Sequence, residues 1–388
     1  MQTDLLERER QHRTFYGLDA LRGVAAIVVV SRHAPALFEL SLFPGSALGV
    51  DLFFVLSGFV IAHAYDKRIV RGMGSGQFLI IRLIRLYPLY FLGTLIGAAV
   101  AIFTVASGVS SATGGYLWRP FPLGQSIVLS TFLLPTPAQS AEFDSLYPLD
   151  AVAWSLAFEI VVNAIYAAFH RYLTTLLLAG VMAVDAVLLL VAILHNQTVD
   201  LGWNWSTAAV GLTRVFYSFP AGVLLYRLSD QGRRGPSLSV IWPILAVLSI
   251  FFIGLPGQAQ SWFAVAAIVI LFPAITLIAA RSHIPSWAVR VCAFLGVTSY
   301  AVYALHRPLL SVVNGVAQVL HFRIAAWAPF SGLVFVAALL GLCWLIDLYY
   351  DQPVRQWLTS TSRRPAATGG PDMASPFPLS PAGPLRQP

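Results

Sequence analysis

Arg22 and His33 lie eleven positions apart in an otherwise apolar run, LDALRGVAAIVVVSRH, over 18–33. In a helix, about 1.5 Å of rise per residue separates them by roughly 16 Å, about half a hydrocarbon core. Eleven steps of about 100° come close to three turns, so both side chains leave the same face. An aligned Arg and His inside a membrane helix cost several kcal/mol unless they have partners or line a polar cavity. A histidine so placed can take a proton from a hydroxyl, or attack a carbonyl itself. The competing use of Arg22 is structural, as an ion-pair partner or a side chain reaching back to the interface.

Other segments supply groups that suit the same chemistry. Asp51 stands at the start of GVDLFFVLSGFVIA and is expected at the depth of His33. A carboxylate there would orient the imidazole and raise its basicity, although a helix-start carboxylate is also favoured by the dipole alone. Ser57 and Gly58 suit close helix packing. Arg82 and Arg85 in RLIRLYPLY share a face, and paired guanidinium groups suit bidentate phosphate recognition, or simple anchoring at the interface. Glu159 in AWSLAFEIVVNAIY falls near mid-depth, with Trp154 above it and Asn163 one turn on. It is a functional candidate by position, or an internal partner of Arg22 or Arg214. Tyr303 and His306 in SYAVYALHRPLL are three apart and are expected to face one cavity, with a kink at Pro308. No HExxH, GxSxG or Gly-rich phosphate loop occurs, and Cys292 and Cys343 fall in apolar runs as small core residues, so no metal site is expected.

The elements that must position these groups are membrane helices. Of 388 residues, 57% are hydrophobic and only 11% charged, where a soluble domain carries about 25% charge. Mean hydropathy is +0.74. The polar opening MQTDLLERERQHR does not read as a signal peptide. Apolar runs of spanning length occupy about 16–38, 47–65, 78–106, 151–169, 172–194, 207–226, 238–255, 261–280, 291–319 and 328–348. A shorter run, about 122–135, is bounded by Pro122 and Pro135 and reads as re-entrant or interfacial. With the N-terminus inside, Arg8, Arg10, Arg13, Lys67, Arg68, Arg71, Arg171, Arg227, Arg233, Arg234, Arg281 and Arg290 all face the cytoplasm. Loops 39–46, 195–206 and 256–260 contain no Lys or Arg. The positive-inside rule therefore favours ten spans with both termini cytoplasmic, and it accounts for the net charge of +7 without a nucleic-acid partner.

The expected architecture is an all-α, polytopic membrane helix bundle of about ten transmembrane helices. A tail over 1–14 precedes the membrane domain, 15–350, and a Pro-, Ala- and Ser-rich cytoplasmic tail over 351–388 is expected to be disordered. The longest outer loop, about 107–150, carries Tyr116, Trp118, Arg119, Glu142, Asp144, Tyr147 and Asp150. Long loops in compact bundles are often functional, and Trp118 and Tyr147 are candidates to stack on a sugar.

Taken in order, Arg22-x10-His33, GVDLFFVLSGF, RLIRLYPLY, WSLAFE and the looser YALHRPL resemble the membrane-bound acyltransferase-3 family over about 14–350. The resemblance implies a bundle of about ten helices, here of the stand-alone type without a fused esterase-like domain. It implies transfer of an acyl group, often acetyl, from cytoplasmic acyl-coenzyme A as co-substrate to a sugar hydroxyl, with no bound cofactor. His33 then matches the essential histidine, Arg22 its partner, Arg82 and Arg85 the donor-holding pair, and Glu159 the acidic position after Trp-Ser-Leu. Arg32, directly before His33, is a departure. It lies about 100° round the helix and is expected to point away. The expected reaction has His33, oriented by Asp51, deprotonating the acceptor hydroxyl, or forming an acyl-histidine. Two rivals remain open: a polytopic carrier for a glycolipid or small acid, and a non-catalytic membrane assembly or sensing protein.

Overall fold

The computed structural model describes residues 15–38, 42–107, 120–137, 144–229 and 238–362. Apolar sequence without charge closes its backbone hydrogen bonds internally, as helices, because lipid offers no partners. The chain accordingly forms α1 (Tyr16–His33), α2 (Gly49–Val70), α3 (Ser75–Ser107), α4 (Pro120–Thr131), α5 (Ala153–Phe169) and α6 (Thr175–Asn196). These are followed by α7 (Ala208–Ser229), α8 (Ile241–Phe252), α9 (Gln258–Arg281), α10 (Ser286–Val319) and α11 (Phe330–Ser362).

Among the described residues, eight helices are long and apolar enough to cross a membrane. The charged α1 and the 12-residue α8 fall on the two remaining expected runs, α8 being too short as a helix to span by itself. At 12 residues, α4 is too short to span, as the length of its apolar run predicts; Pro122 lies in its first turn and Pro135 beyond its end. One boundary moves. The last helix does not stop near 350 but runs through a π-turn at Asp347–Asp351 to Ser362. Arg355 explains the continuation: it bonds Asp351 at 2.8 Å and Asp347 at 3.3 Å, tying the added turns to buried carboxylates. The tail beyond 362, the opening run 1–14 and the loop residues Tyr116, Trp118, Arg119 and Glu142 lie outside the described residues.

α1 and α2 form the centre, α10 packing along α1 and α7 along α2. The α2–α7 seam needs glycine on both sides: a Cβ at Gly58 would lie 2.0 Å from the Phe219 carbonyl, and one at Gly222 2.1 Å from that of Val55. Gly58 thus has the packing role its sequence suggested, whereas Ser57 faces the other way, into a cavity. α3 lies against α10 and α5, so that the two arginines of α3, the glutamate of α5 and the aromatics of α10 meet.

Candidate active site

A cavity of about 140 Å³ opens between α1, α2, α3, α5 and α10. Arg22, Arg82, Arg85, Glu159, Tyr300 and Tyr303 line it. Three guanidinium groups therefore converge on one small space, with one carboxylate inside it. Glu159 accepts a 3.1 Å bond from Arg82 Nη2 and a 2.5 Å bond from Ser57 Oγ. Arg22 donates to Asp19 at 3.2 Å, one turn back on its own helix. Arg85 makes no hydrogen bond among the described residues, and Arg82 Nε is buried without an acceptor. A surplus of donors over acceptors makes this an anion site, with the guanidinium geometry that suits phosphate.

Tyr303 forms one wall of the cavity, its ring edge-on to Phe53 at 5.0 Å and its hydroxyl 2.6 Å from Ser155 Oγ. Its ring is 6.1 Å from that of His306. His306 is fully buried, and its Nε2 lies 3.0 Å from His33 Nδ1.

The surrounding carbonyls set the protons of this pair. His306 Nδ1 faces only oxygen acceptors, Tyr303 O at 2.8 Å and Val302 O at 3.1 Å, so it carries the hydrogen. Its Nε2 is then a lone pair. His33 Nδ1 lies 2.9 Å from Val29 O, so Nδ1 also carries a hydrogen, shared between that carbonyl and His306 Nε2. His33 Nε2 is thereby left with its lone pair, the tautomer of a general base.

This arrangement corrects the expected His33–Asp51 pairing. Asp51 is fully buried, and both of its oxygens are taken by Arg214, from Nε at 3.0 Å and from Nη2 at 2.7 Å. Arg214 also bonds the carbonyls of Leu201 at 2.7 Å and Ala47 at 2.9 Å, closing a structural knot between α2, α7 and the loops beside them. Helical depth placed Asp51 near His33 but could not tell which face it presents. The arginine that claims it is 163 positions away.

Glu159 is likewise partnered by Arg82, not by Arg22 or Arg214, and sits among the arginines. Trp154 does not line the cavity but stacks against Arg214, 5.6 Å from ring to guanidinium. Asn163 is fully buried on α5 and outside the cavity wall, with no hydrogen-bond partner for its amide. Arg32 pairs with Asp200 in the 195–206 loop, turned away as its position on the helix predicts. Tyr147 is no stacking platform: it is 3% exposed and its hydroxyl bonds Leu133 O at 2.9 Å. Tyr300, whose hydroxyl donates to Leu86 O at 2.5 Å, and Arg307, beside His306, belong to this region. Tyr300, three before Tyr303 on the same helix face, was visible in the sequence as one of the aromatics of SYAVYALHRPLL, whereas Arg307 was not singled out.

The acyltransferase domain family Acyl_transf_3 matches residues 15–348. "Protein 2 in picA locus" of Rhizobium radiobacter is 42% identical over 182 residues, 46% of this chain and 94% of that protein. "Exopolysaccharide production protein ExoZ" of Rhizobium meliloti (strain 1021) is 31% identical over 121 residues, 31% of this chain and 33% of its own. No solved structure matches.

Proposed function

The chain belongs to the acyltransferase-3 domain family, and we propose that it moves an acyl group, acetyl foremost, from acyl-coenzyme A to a sugar hydroxyl. The acceptor class is an envelope glycan, a lipid-linked glycan or a glycosylated metabolite. The observation that carries the reading is the His33–His306 hydrogen bond, which leaves His33 Nε2 as a free base, with His306 standing between His33 and Tyr303 of the cavity wall. The basic loops support a cytoplasmic face at the Arg82 end, with both termini on that side. A relative named for exopolysaccharide production supports a polysaccharide acceptor.

In this mechanism the phosphates of the donor dock on Arg82 and Arg85, with Glu159 holding Arg82 in place. The pantetheine arm, about half a bilayer core in length, passes Arg22 and brings the thioester to the level of His33. The acceptor oxygen attacks the thioester carbonyl carbon while its proton passes to His33 Nε2. The C–S bond breaks, the thiolate takes the proton from His33, and an ester and coenzyme A leave.

Two measurements test this. Purified protein is expected to release coenzyme A in an acceptor-dependent way that His33→Ala abolishes. Envelope glycans of a deletion strain are expected to lose one acyl mass, restored by wild type and not by His33→Ala. Full rescue by His33→Ala would overturn the reading. Movement of a labelled glycolipid without acyl-coenzyme A would put a carrier in its place.

A further inference from the structure

Four tyrosine hydroxyls converge on one short stretch of α3, residues 85–90, which runs through Pro88. Tyr300 of α10 donates to Leu86 O at 2.5 Å, and Tyr350 of α11 donates to Pro88 O at 3.2 Å. Tyr87 and Tyr90, on the stretch itself, donate to Thr131 O at 2.6 Å and Ser130 O at 2.5 Å in the last turn of α4. The last turn of a helix leaves its carbonyls short of donors, so α4 supplies ready acceptors. The stretch is thereby tied to α4, α10 and α11 at once.

Pro88 gives these bonds their use. It has no N–H for the Ile84 carbonyl, so α3 lacks one rung of its backbone ladder there, and a proline inside a helix is where a helix bends. Arg82 and Arg85 precede it by six and three residues, so flexing at this turn swings both guanidinium groups out of register with Arg22 and Glu159. Arg82 has a second hold, its 3.1 Å bond to Glu159. Arg85 makes no hydrogen bond among the described residues, so its aim depends on the backbone beneath it.

Tyr350 is itself locked in place. It stands in the π-turn of α11, Asp347–Asp351, and Arg355 bonds the carboxylates at both ends of that turn, at 3.3 Å and 2.8 Å. Gln352 donates to Asp347 at 2.6 Å. Single π-turns inside α-helices are frequent at functional positions. Tyr350 and Arg355 lie beyond the family match, which ends at 348. Tyr300 lines the arginine cavity together with Leu86, whose carbonyl it bonds, whereas Tyr350 is absent from the cavity wall and meets the site only through α3.

We propose that Tyr300 and Tyr350 are positioning residues of the donor site: their bonds to Leu86 O and Pro88 O stop α3 from flexing at the proline and aim Arg85 into the cavity. This rests on the donor-site reading above and adds to it the groups that hold the donor-binding helix in register. Neither hydroxyl has to touch the donor. The guanidinium is aimed before the donor arrives, so the cost of ordering it falls on folding and not on binding.

The test uses the full-length protein in lipid nanodiscs, titrated with acetyl-coenzyme A by isothermal titration calorimetry, so that no acceptor is needed. Tyr300→Phe and Tyr350→Phe each remove one hydroxyl and keep the ring. Each is expected to raise the Kd by about three- to tenfold, and the two together by more than either alone. Tyr217→Phe is the matched control, because it removes the same kind of bond, to Val269 O at 2.9 Å, in the seam between α7 and α9. Its Kd should stay within about twofold of wild type. In an Arg85→Ala background there is no guanidinium left to aim, and Tyr350→Phe should then change the Kd by less than about twofold. A wild-type Kd in both single tyrosine variants, an equal rise in Tyr217→Phe, or the full Tyr350→Phe penalty in the Arg85→Ala background overturns the positioning role alone. An Arg85→Ala Kd equal to that of wild type overturns the donor-site reading, and the positioning role with it.

Discussion

Arg214 grips Asp51 with two hydrogen bonds, 3.0 Å and 2.7 Å, inside the bundle, where the two side chains are 2% and 0% exposed. Removing one partner of such a pair strands the other charge in a poorly solvated interior, a loss of about 3–5 kcal/mol. Asp51→Asn and Arg214→Ala are each expected to lower the melting temperature in nanodiscs sharply. The paired change Asp51→Leu with Arg214→Leu should cost less than the sum of the singles. Asp51→Asn protein that does fold should keep the wild-type pH–rate profile. A shifted profile with an unchanged melting temperature would return Asp51 to the side of His33.

His306 touches none of the reacting atoms in the proposed mechanism and works through His33, whose Nδ1 it meets at 3.0 Å. Without it, the His33 ring loses one of the two contacts that fix its tautomer and orientation. His306→Ala is expected to lower kcat by about 10- to 100-fold, less than the loss in His33→Ala, which takes away the base itself. His306→Gln, which keeps an acceptor oxygen, should recover part of kcat, with KM for the donor little changed. Equal losses in Ala and Gln, accompanied by a fall in melting temperature, would make His306 a packing residue only.

The membrane runs were legible because the hydropathy of spanning segments and the placement of Lys and Arg are sequence-local signals. The arginine cavity was legible for a related reason: Arg22, Arg82, Arg85 and Glu159 are charges in apolar helices, and such charges seek one another or a cavity. The partner of His33 was not. Helical depth pointed to Asp51 alone, and the choice of His306 instead depends on helix rotation, fixed by contacts such as Gly58 on Phe219 and Arg214 on Asp51. Asp150 was visible only as one acidic residue in a long loop, because burial of a turn is a tertiary fact.

At the other end of the site, Arg85 makes no hydrogen bond among the described residues, and Arg82 Nε has no acceptor. Charge-assisted bonds to phosphate are worth about 1.5–3 kcal/mol each. Arg85→Ala and Arg82→Ala are therefore expected to raise the donor KM by about 10- to 100-fold, with the acceptor KM nearly unmoved. Because the fork geometry matters, Arg85→Lys should recover only part. The sharper check is a donor lacking the 3′-phosphate. If these arginines hold that phosphate, the analogue is penalised in wild type and not further in the variants. Equal penalties in both would place the arginines elsewhere on the donor, or outside its path.

Stability should also carry the signature of Asp150. Burial lifts its carboxyl from the ordinary 3.8 to about 7, against the opposing pull of the Val152 amide and Arg307. The other groups that feel its charge are Tyr90, Tyr300 and Tyr303, and phenols carry no charge of their own across this range. Between pH 4 and 7 the folded protein holds a proton that the unfolded chain has released. The stabilisation is therefore complete below about pH 4 and is lost as pH rises through about 7, by up to about 4 kcal/mol. Wild type should melt progressively lower than Asp150→Asn from pH 5 to 8.5, and the two curves should converge at the acid end. Parallel curves for the two proteins across the whole range would mean that Asp150 is ionised in the folded state at every pH tested.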